Sequence, residues 1–365
     1  MAKISRGLKE PVMAPDFSTI LSKWNSEANA RQMPWKGEKD PYKIWVSEII
    51  LQQTRVEQGM KYYDRFISVF PDIHHLANAP DPKIYKVWEG LGYYGRCRNM
   101  IETARHISKN LGGEFPSRYE DLSELKGVGP YTAAAIASFA FNKPNAVLDG
   151  NVFRVLSRIF GIAKPIDNAE GKKYFKRIAQ SLLNEQKSAE YNQAIMDFGA
   201  VVCKPMPDCA VCPFINQCSA FARGAVSEFP VKSKKVLIRK RWFHYVLIEH
   251  EGKLAIRQRV EKDIWRNLFE FFLIETEATV DEDGIVMELK KYPWLKTRKG
   301  NIKSISSIYR QQLTHQLIEG RFIYLESYEK PALPADLMWV KKKDIKTYAF
   351  PKIINQHLAN MKGLS

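Results

Sequence analysis

Apolar residues recur at three- and four-residue intervals from about residue 17 to 222, then begin to alternate with polar ones beyond about 224. The first pattern is that of amphipathic helices and the second that of half-buried strands. The spacing predicts helices near 17–30, 41–57, 59–70, 82–90, 97–111, 118–125, 130–142, 151–160, 170–185 and 189–202. The stretch following Asp40 and Pro41 is apolar on nearly every face, so its helix should be buried; Asp40 supplies an N-cap and Pro41 a first helical residue. After the texture changes, WFHYVLIEHEGKLAIRQR (242–259) reads as two strands around a Glu-Gly turn. Further strands are expected at 268–276, 321–328 and 338–342, and a last helix at 350–361. The chain therefore reads as an all-α region followed by an α+β domain.

Composition changes this picture in one respect. The 365 residues hold 56 Lys and Arg against 40 Asp and Glu, a net charge of +16, which favours a polyanionic partner. Six of the basic residues fall in KSKKVLIRKR (232–241), a solvated linker or a strap along phosphates. No apolar run is long enough for a signal peptide or a membrane span. Four of five cysteines crowd into 203–218, a metal pattern of a reducing compartment and not a disulfide framework.

Three segments carry chemistry. In WVSEIILQQT (45–54), Glu48 is a lone carboxylate on a helix face it shares with Ile44, Trp45 and Leu51. Desolvation should raise its pKa and keep it protonated near neutral pH, unless it is a paired structural carboxylate. In VLDGNVFRVL (147–156), Asp149 precedes a helix, where an anion is favoured; it is at least an N-cap. A buried acid and an exposed carboxylate are what glycosidic bond cleavage needs. In LKGVGPYTAAAIASFAF (125–141), Gly127 and Gly129 permit a tight turn, Val128 plugs it, and outward amides at the start of the next helix suit a phosphate. That is a helix–hairpin–helix, although such turns also occur in any helical protein.

The cysteine loop has the form Cys203-x5-Cys209-x2-Cys212-x5-Cys218. Structural zinc usually takes two separated Cys-x-x-Cys pairs, and this loop has one; a 4Fe-4S cluster suits the compact spacing better, with zinc the alternative. Lys204 and Arg223 flank it and could meet DNA.

The segments MPWK (33–36), DPYKIWVSEIILQQTRV (40–56), GLGYYGRCRN (90–99), LKGVGPYTA (125–133), LDGNVFRVLSR (148–158), NQAIMDFGA (192–200) and the cysteine loop occur in this order, and together they resemble the MutY-type adenine DNA glycosylases. The resemblance implies a multi-domain chain: all-α helix–hairpin–helix DNA glycosylase domains with an iron–sulfur cluster loop, then an α+β Nudix-like domain. Residues 1–223 would form the catalytic region, with a six-helix barrel over about 31–142, the hairpin at 118–142, and the N-terminal segment plus 143–223 forming the cluster domain. Residues 224–241 would be a basic linker and 242–365 an 8-oxoguanine-recognition domain. It further implies base excision repair: hydrolysis of the N-glycosidic bond of adenine mispaired with 8-oxoguanine or guanine in double-stranded DNA, by a monomeric, monofunctional enzyme of the bacterial cytoplasm and nucleoid.

By the same resemblance, Glu48 protonates adenine N7 and Asp149 stabilises the sugar cation or briefly bonds to it, while Tyr131 and Asn151 position the substrate and Asp149. Gln53 and Tyr93 fill the space a flipped base vacates, and Arg31, Trp35, Lys36 and Gln193 line or border the adenine pocket. Gly127, Val128 and Gly129 form the phosphate clamp, and Cys203, Cys209, Cys212 and Cys218 hold the cluster. The family's Phe-Ser-His reader of 8-oxoguanine stands here as Leu313-Thr314-His315, with the hydroxyl kept.

Departures are few. Lys126 stands where the family has Pro, the first cysteine gap is one residue shorter, and Cys97 replaces a small apolar residue as a packed free thiol. The stretch EATVDEDGIVMELKKY (277–292) lacks the glutamate-rich helix a Nudix hydrolase needs for magnesium, so this domain should recognise and not hydrolyse. An endonuclease III-like lyase would need a Schiff-base lysine where Tyr131 stands.

Overall fold

The computed structural model describes residues 16–52, 56–233, 237–295, 302–326 and 331–361. It divides into two compact units: residues 1–67, 72–74 and 102–234 form one, and 68–71, 75–101 and 235–365 the other. The second unit thus takes a helical segment from the middle of the chain along with the C-terminal sheet.

The helices are α1 (Phe17–Glu27), α2 (Pro41–Leu51), α3 (Val56–Val69), α4 (Ile73–Asn78), α5 (Asp81–Trp88), α6 (Tyr94–Asn110), α7 (Tyr119–Glu124), α8 (Pro130–Phe141), α9 (Gly150–Phe160), α10 (Ala169–Leu182), α11 (Ser188–Val201) and α12 (Ser219–Ala222). The short α4 was not expected from the spacing. α2 stops at Leu51, six residues before the expected end, because Gln52 swings to ψ 114°. There its amide nitrogen donates to Thr132 Oγ1 at 3.2 Å, tying the end of α2 to the start of α8. Gln53 lies outside the described residues.

A core in the first unit joins α1, α8, α9, α10 and α11 through Leu21, Ala135, Val155, Leu156, Phe175 and Phe198, all essentially solvent-free. Stripping that much apolar surface of water is what holds these helices in place, at about 25 cal/mol per Å². α9 and α11 approach closely because Gly199 has no side chain: a Cβ there would meet the Asn151 Cβ at 2.7 Å.

The second unit has one eight-stranded sheet: β1 (Arg239–His250), β2 (Lys253–Gln258), β3 (Phe269–Glu270), β4 (Phe272–Thr276), β5 (Ile302–Ile305), β6 (Tyr309–Gln312), β7 (Gln316–Glu326) and β8 (Leu337–Lys341), with α13 (Glu282–Lys290) and α14 (Lys352–Asn360). β1 and β2 form the expected hairpin, with Glu251 and Gly252 both at positive φ. β5 and β6, unexpected from the sequence, are short and half-exposed, so their alternation carries little apolar signal. The parallel β1–β7 pair runs from Arg239↔Gln316 to Glu249↔Glu326. Ile285 and Leu289 of α13 pack into the core cluster formed by Val246, Ile248 and Ile323. α14 sits where Gly320 clears space for Ile353, whose Cδ1 would lie 2.8 Å from an added Cβ.

Within this unit the segment 75–101 is tied to the sheet region by polar contacts. Lys86 Nζ donates to Tyr348 O at 3.0 Å, Phe350 N donates to Glu89 Oε1 at 2.7 Å, and Asn267 Nδ2 donates to the Tyr85 hydroxyl at 2.7 Å. Cys97, as expected, is a buried free thiol, and burial pushes its pKa well up.

Candidate active site

Two helix N-termini and one buried helix meet at a cavity of about 1020 Å³ in the first unit. Glu48 comes from the middle of α2, whose residues Ile44 to Ile50 are all buried, and is itself 6 % exposed. Tyr131 comes from the first turn of α8, and its phenol donates to Glu48 Oε2 at 2.5 Å. Burial pushes the Glu48 pKa up to about 7; the Tyr131 hydrogen bond opposes this and the nearby Asp149 charge adds to it. Tyr131 is raised well above its ordinary value, chiefly by burial, so it stays a phenol donor.

Asp149 is the N-cap of α9. Its Oδ1 accepts from Val152 N at 2.7 Å and its Oδ2 from Asn151 Nδ2 at 2.8 Å. The helix N-terminus alone was expected to favour the anion. Those hydrogen bonds do favour the anion, but burial in the pocket outweighs them, and the pKa is raised. Asp149 is half-buried at the cavity wall and not exposed as the sequence reading had it.

Asn151 is held in turn by Arg154, whose Nη2 donates to Asn151 Oδ1 and to Gly199 O, each at 2.7 Å. Arg154 Nε donates to the Cys203 carbonyl at 2.8 Å. Arg31, Trp35, Lys36 and Gln193 all line the same cavity. Trp35 is fixed edge-on to Tyr63, with ring centroids 5.5 Å apart.

The sequence reading missed Asp197. This carboxylate is fully buried, accepts three hydrogen bonds, from Arg31 Nη1 at 2.7 Å and Gln193 Nε2 at 2.9 Å on Oδ1 and from Asn29 Nδ2 at 2.9 Å on Oδ2, and forms an ion pair with Lys36 Nζ at 3.0 Å on Oδ2. A local signal existed, since Asp197 interrupts the apolar run AIMDFGA as Glu48 interrupts WVSEIIL.

The turn between α7 and α8 holds Gly127 at φ +76°, where a side chain would be strained, and buries Val128. Gly129 is the N-cap of α8, and no atom lies within 4 Å of where its Cβ would be. The open turn and the unbonded first-turn amides of α8 leave room for a phosphate.

Cys203, Cys209, Cys212 and Cys218 line one small cavity of about 20 Å³. Arg158 closes it, donating from Nη1 to Cys203 Sγ at 3.6 Å and to Lys204 O at 2.7 Å, while Cys218 Sγ donates to Arg158 O at 3.5 Å. Among the described residues no group of three or more His, Cys, Asp or Glu side chains stands placed to hold a metal ion. The donor set itself, four cysteine thiols lining that cavity, has the soft sulfur chemistry that a thiophilic centre takes.

In the second unit, Thr314 and His315 are exposed at the turn between β6 and β7. The Tyr93 hydroxyl lies 2.9 Å from Thr314 Oγ1. No helix among the described residues is long and apolar enough to cross a membrane.

A family model described as HhH-GPD superfamily base excision DNA repair protein matches residues 46–185, and a NUDIX domain model matches 244–360. An adenine DNA glycosylase of Buchnera aphidicola subsp. Schizaphis graminum is 35% identical over 302 residues, covering 81% of this chain and 83% of that protein. Another, from Buchnera aphidicola subsp. Acyrthosiphon pisum, is 28% identical over 354 residues, covering 95% and 97%. Among solved structures, a thermostable thymine-DNA glycosylase is 30% identical with a TM-score of 0.53, covering 57% of this chain and 95% of that one.

Proposed function

Because the chain belongs to the adenine DNA glycosylase family, we propose that it excises adenine mispaired with 8-oxoguanine or guanine in duplex DNA, by hydrolysis and without cutting the strand. The observation that carries this is the pairing of Glu48, with its pKa near 7, and Asp149 on one cavity. Glu48 delivers a proton to N7 of a flipped adenine. The bond from the sugar to N9 breaks with its electrons going to the base. Asp149 faces the resulting sugar cation, and water adds to it with loss of a proton. Tyr131 orients the Glu48 carboxyl, and Asn151 orients Asp149.

A strand nick by β-elimination would need an amine to form an imine with the opened sugar. The phenol of Tyr131 occupies the place an endonuclease III-like lysine would take. This favours the monofunctional reading.

For the cysteine loop we propose a 4Fe-4S cluster held by Cys203, Cys209, Cys212 and Cys218, supported by their shared cavity. Bound there, such a group would cross-link the loop that carries Lys204. In the second unit, Thr314 and His315 offer a hydroxyl and an imidazole to the altered face of 8-oxoguanine.

The test is incubation with duplexes carrying adenine opposite 8-oxoguanine, adenine opposite guanine, and thymine glycol opposite adenine. Breaks should appear at adenine only after hot alkali, with no adduct trapped by borohydride. Efficient trapping, or cutting at thymine glycol alone, would replace this reading with the lyase.

A further inference from the structure

Three residues that line the cavity converge on a buried carboxylate that the mechanism above does not use. Asp197 accepts hydrogen bonds from Asn29, Arg31 and Gln193 and forms an ion pair with Lys36, and Arg31, Lys36 and Gln193 line the cavity. A carboxylate only accepts hydrogen bonds, whereas a glutamine amide has a donating and an accepting end. Which way such an amide points is set by its partners. Here the choice is forced: the Gln193 amide nitrogen must turn to Asp197, which leaves Oε1 as the end available to the cavity. Asp197 and Gln193 are one helical turn apart on α11, so the pairing is built into the helix.

We infer that Asp197 is a positioning residue for substrate specificity: by fixing the amide polarity of Gln193, it makes this wall of the pocket accept hydrogen from the base, and so select a purine with an amino group at position 6 over one with an oxygen there. The inference rests on the adenine-excision reading. An amino group donates to Gln193 Oε1. A 6-oxo group would set two acceptors against each other and leave both unpaired, which penalises the wrong base more than a missing contact does. Asp197 also offsets the two cations it binds, so Arg31 and Lys36 stay on the wall without turning their full charge into the cavity.

The test compares excision of adenine and of hypoxanthine opposite 8-oxoguanine. Hypoxanthine keeps N7, so the proton from Glu48 is unaffected, and the two bases differ at the 6-position and N1. In Asp197→Asn the new amide can donate, freeing Gln193 to turn its nitrogen inward. The ratio of kcat/KM for adenine over hypoxanthine should then fall at least about tenfold. The double variant Asp197→Asn with Gln193→Glu returns an acceptor to the cavity and the lost negative charge to the cluster. It should recover the native ratio to within about threefold.

A merely structural role would lower both rates together and leave the ratio alone, and that result in a soluble Asp197→Asn protein overturns the inference. If the single variant proves insoluble, the double variant decides: native-like preference supports the inference and lost preference overturns it. A native protein that excises no adenine from these duplexes would instead sink the functional reading itself.

Discussion

The Tyr93 hydroxyl lies 2.9 Å from Thr314 Oγ1, across a sequence separation of 221 residues. Tyr93 is held at φ +49°, an uncommon conformation for a residue with a side chain, under the guanidinium of Arg96 at 5.0 Å from its ring. The side chain that would enter the duplex and the one that would read the opposite base are thus joined in the same unit. Thr314→Val removes the hydroxyl and keeps the shape. It should lower the preference for adenine opposite 8-oxoguanine over adenine opposite guanine by a few-fold to about tenfold, the worth of one hydrogen bond. Tyr93→Phe removes the same bond from the other side. The ratio of single-turnover rates on the two mispairs measures both; an unchanged ratio in both variants would remove this turn from mispair recognition.

Excision should require Glu48 protonated. With its pKa near 7, the rate should fall as pH rises through that value. Tyr131 donates to the ionised form and so holds the pKa down. Tyr131→Phe should therefore move the alkaline limb of the pH–rate profile to higher pH. Glu48→Gln should lose about 10²–10⁴ in rate while still binding the mispair. Pre-steady-state excision across pH 5 to 9, with gel-shift binding as the control, checks all three.

Asp149→Asn should abolish excision while leaving the protein folded. Asparagine still caps α9 by accepting from Val152 N, but it cannot oppose a cation with a charge. The burial that raises the Asp149 pKa moves the acid limb of the native profile to higher pH than an ordinary aspartate would give. Unchanged circular dichroism with lost activity is the expected result; an unfolded protein would reduce Asp149 to a cap.

Gly199→Ala should damage the site from behind. The added Cβ would meet the Asn151 Cβ at 2.7 Å, and Asn151 must move from Asp149 to make room. Overpacking of this kind costs about 1–3 kcal/mol, and a displacement near 1 Å can cost up to about 10²-fold in rate. Melting temperature and kcat measured together separate the two effects. A normal kcat would show that Asn151 does not need this position.

The purified protein should be brown and hold four irons per chain if the cysteine loop carries its proposed cluster. Cys212→Ser should lose iron and bind duplex DNA more weakly, because Lys204 would no longer be held by the loop. Iron analysis and salt-dependent affinity test this; one zinc and no iron would overturn it.

Local pattern determined much of this protein. Glu48 could be picked out because a single carboxylate in an apolar helix must be buried, and burial raises its pKa wherever the helix packs. Asp149 was visible as a cap, and the helix limits mostly lie within a few residues of those expected, because caps and spacing act over one or two turns. Tertiary structure decided the rest. The net upward shift of Asp149 depends on how much water the neighbouring helices exclude, which no helix start encodes. Asp197 gained meaning only when Asn29, Arg31 and Lys36, more than a hundred and fifty residues earlier, were brought to its oxygens. Residues 75–101 joined the C-terminal unit although they lie within the helical stretch. Their partners Asn267, Thr314, Tyr348 and Phe350 are distant in sequence, and hydrogen bonds of that range leave no periodic trace in the chain.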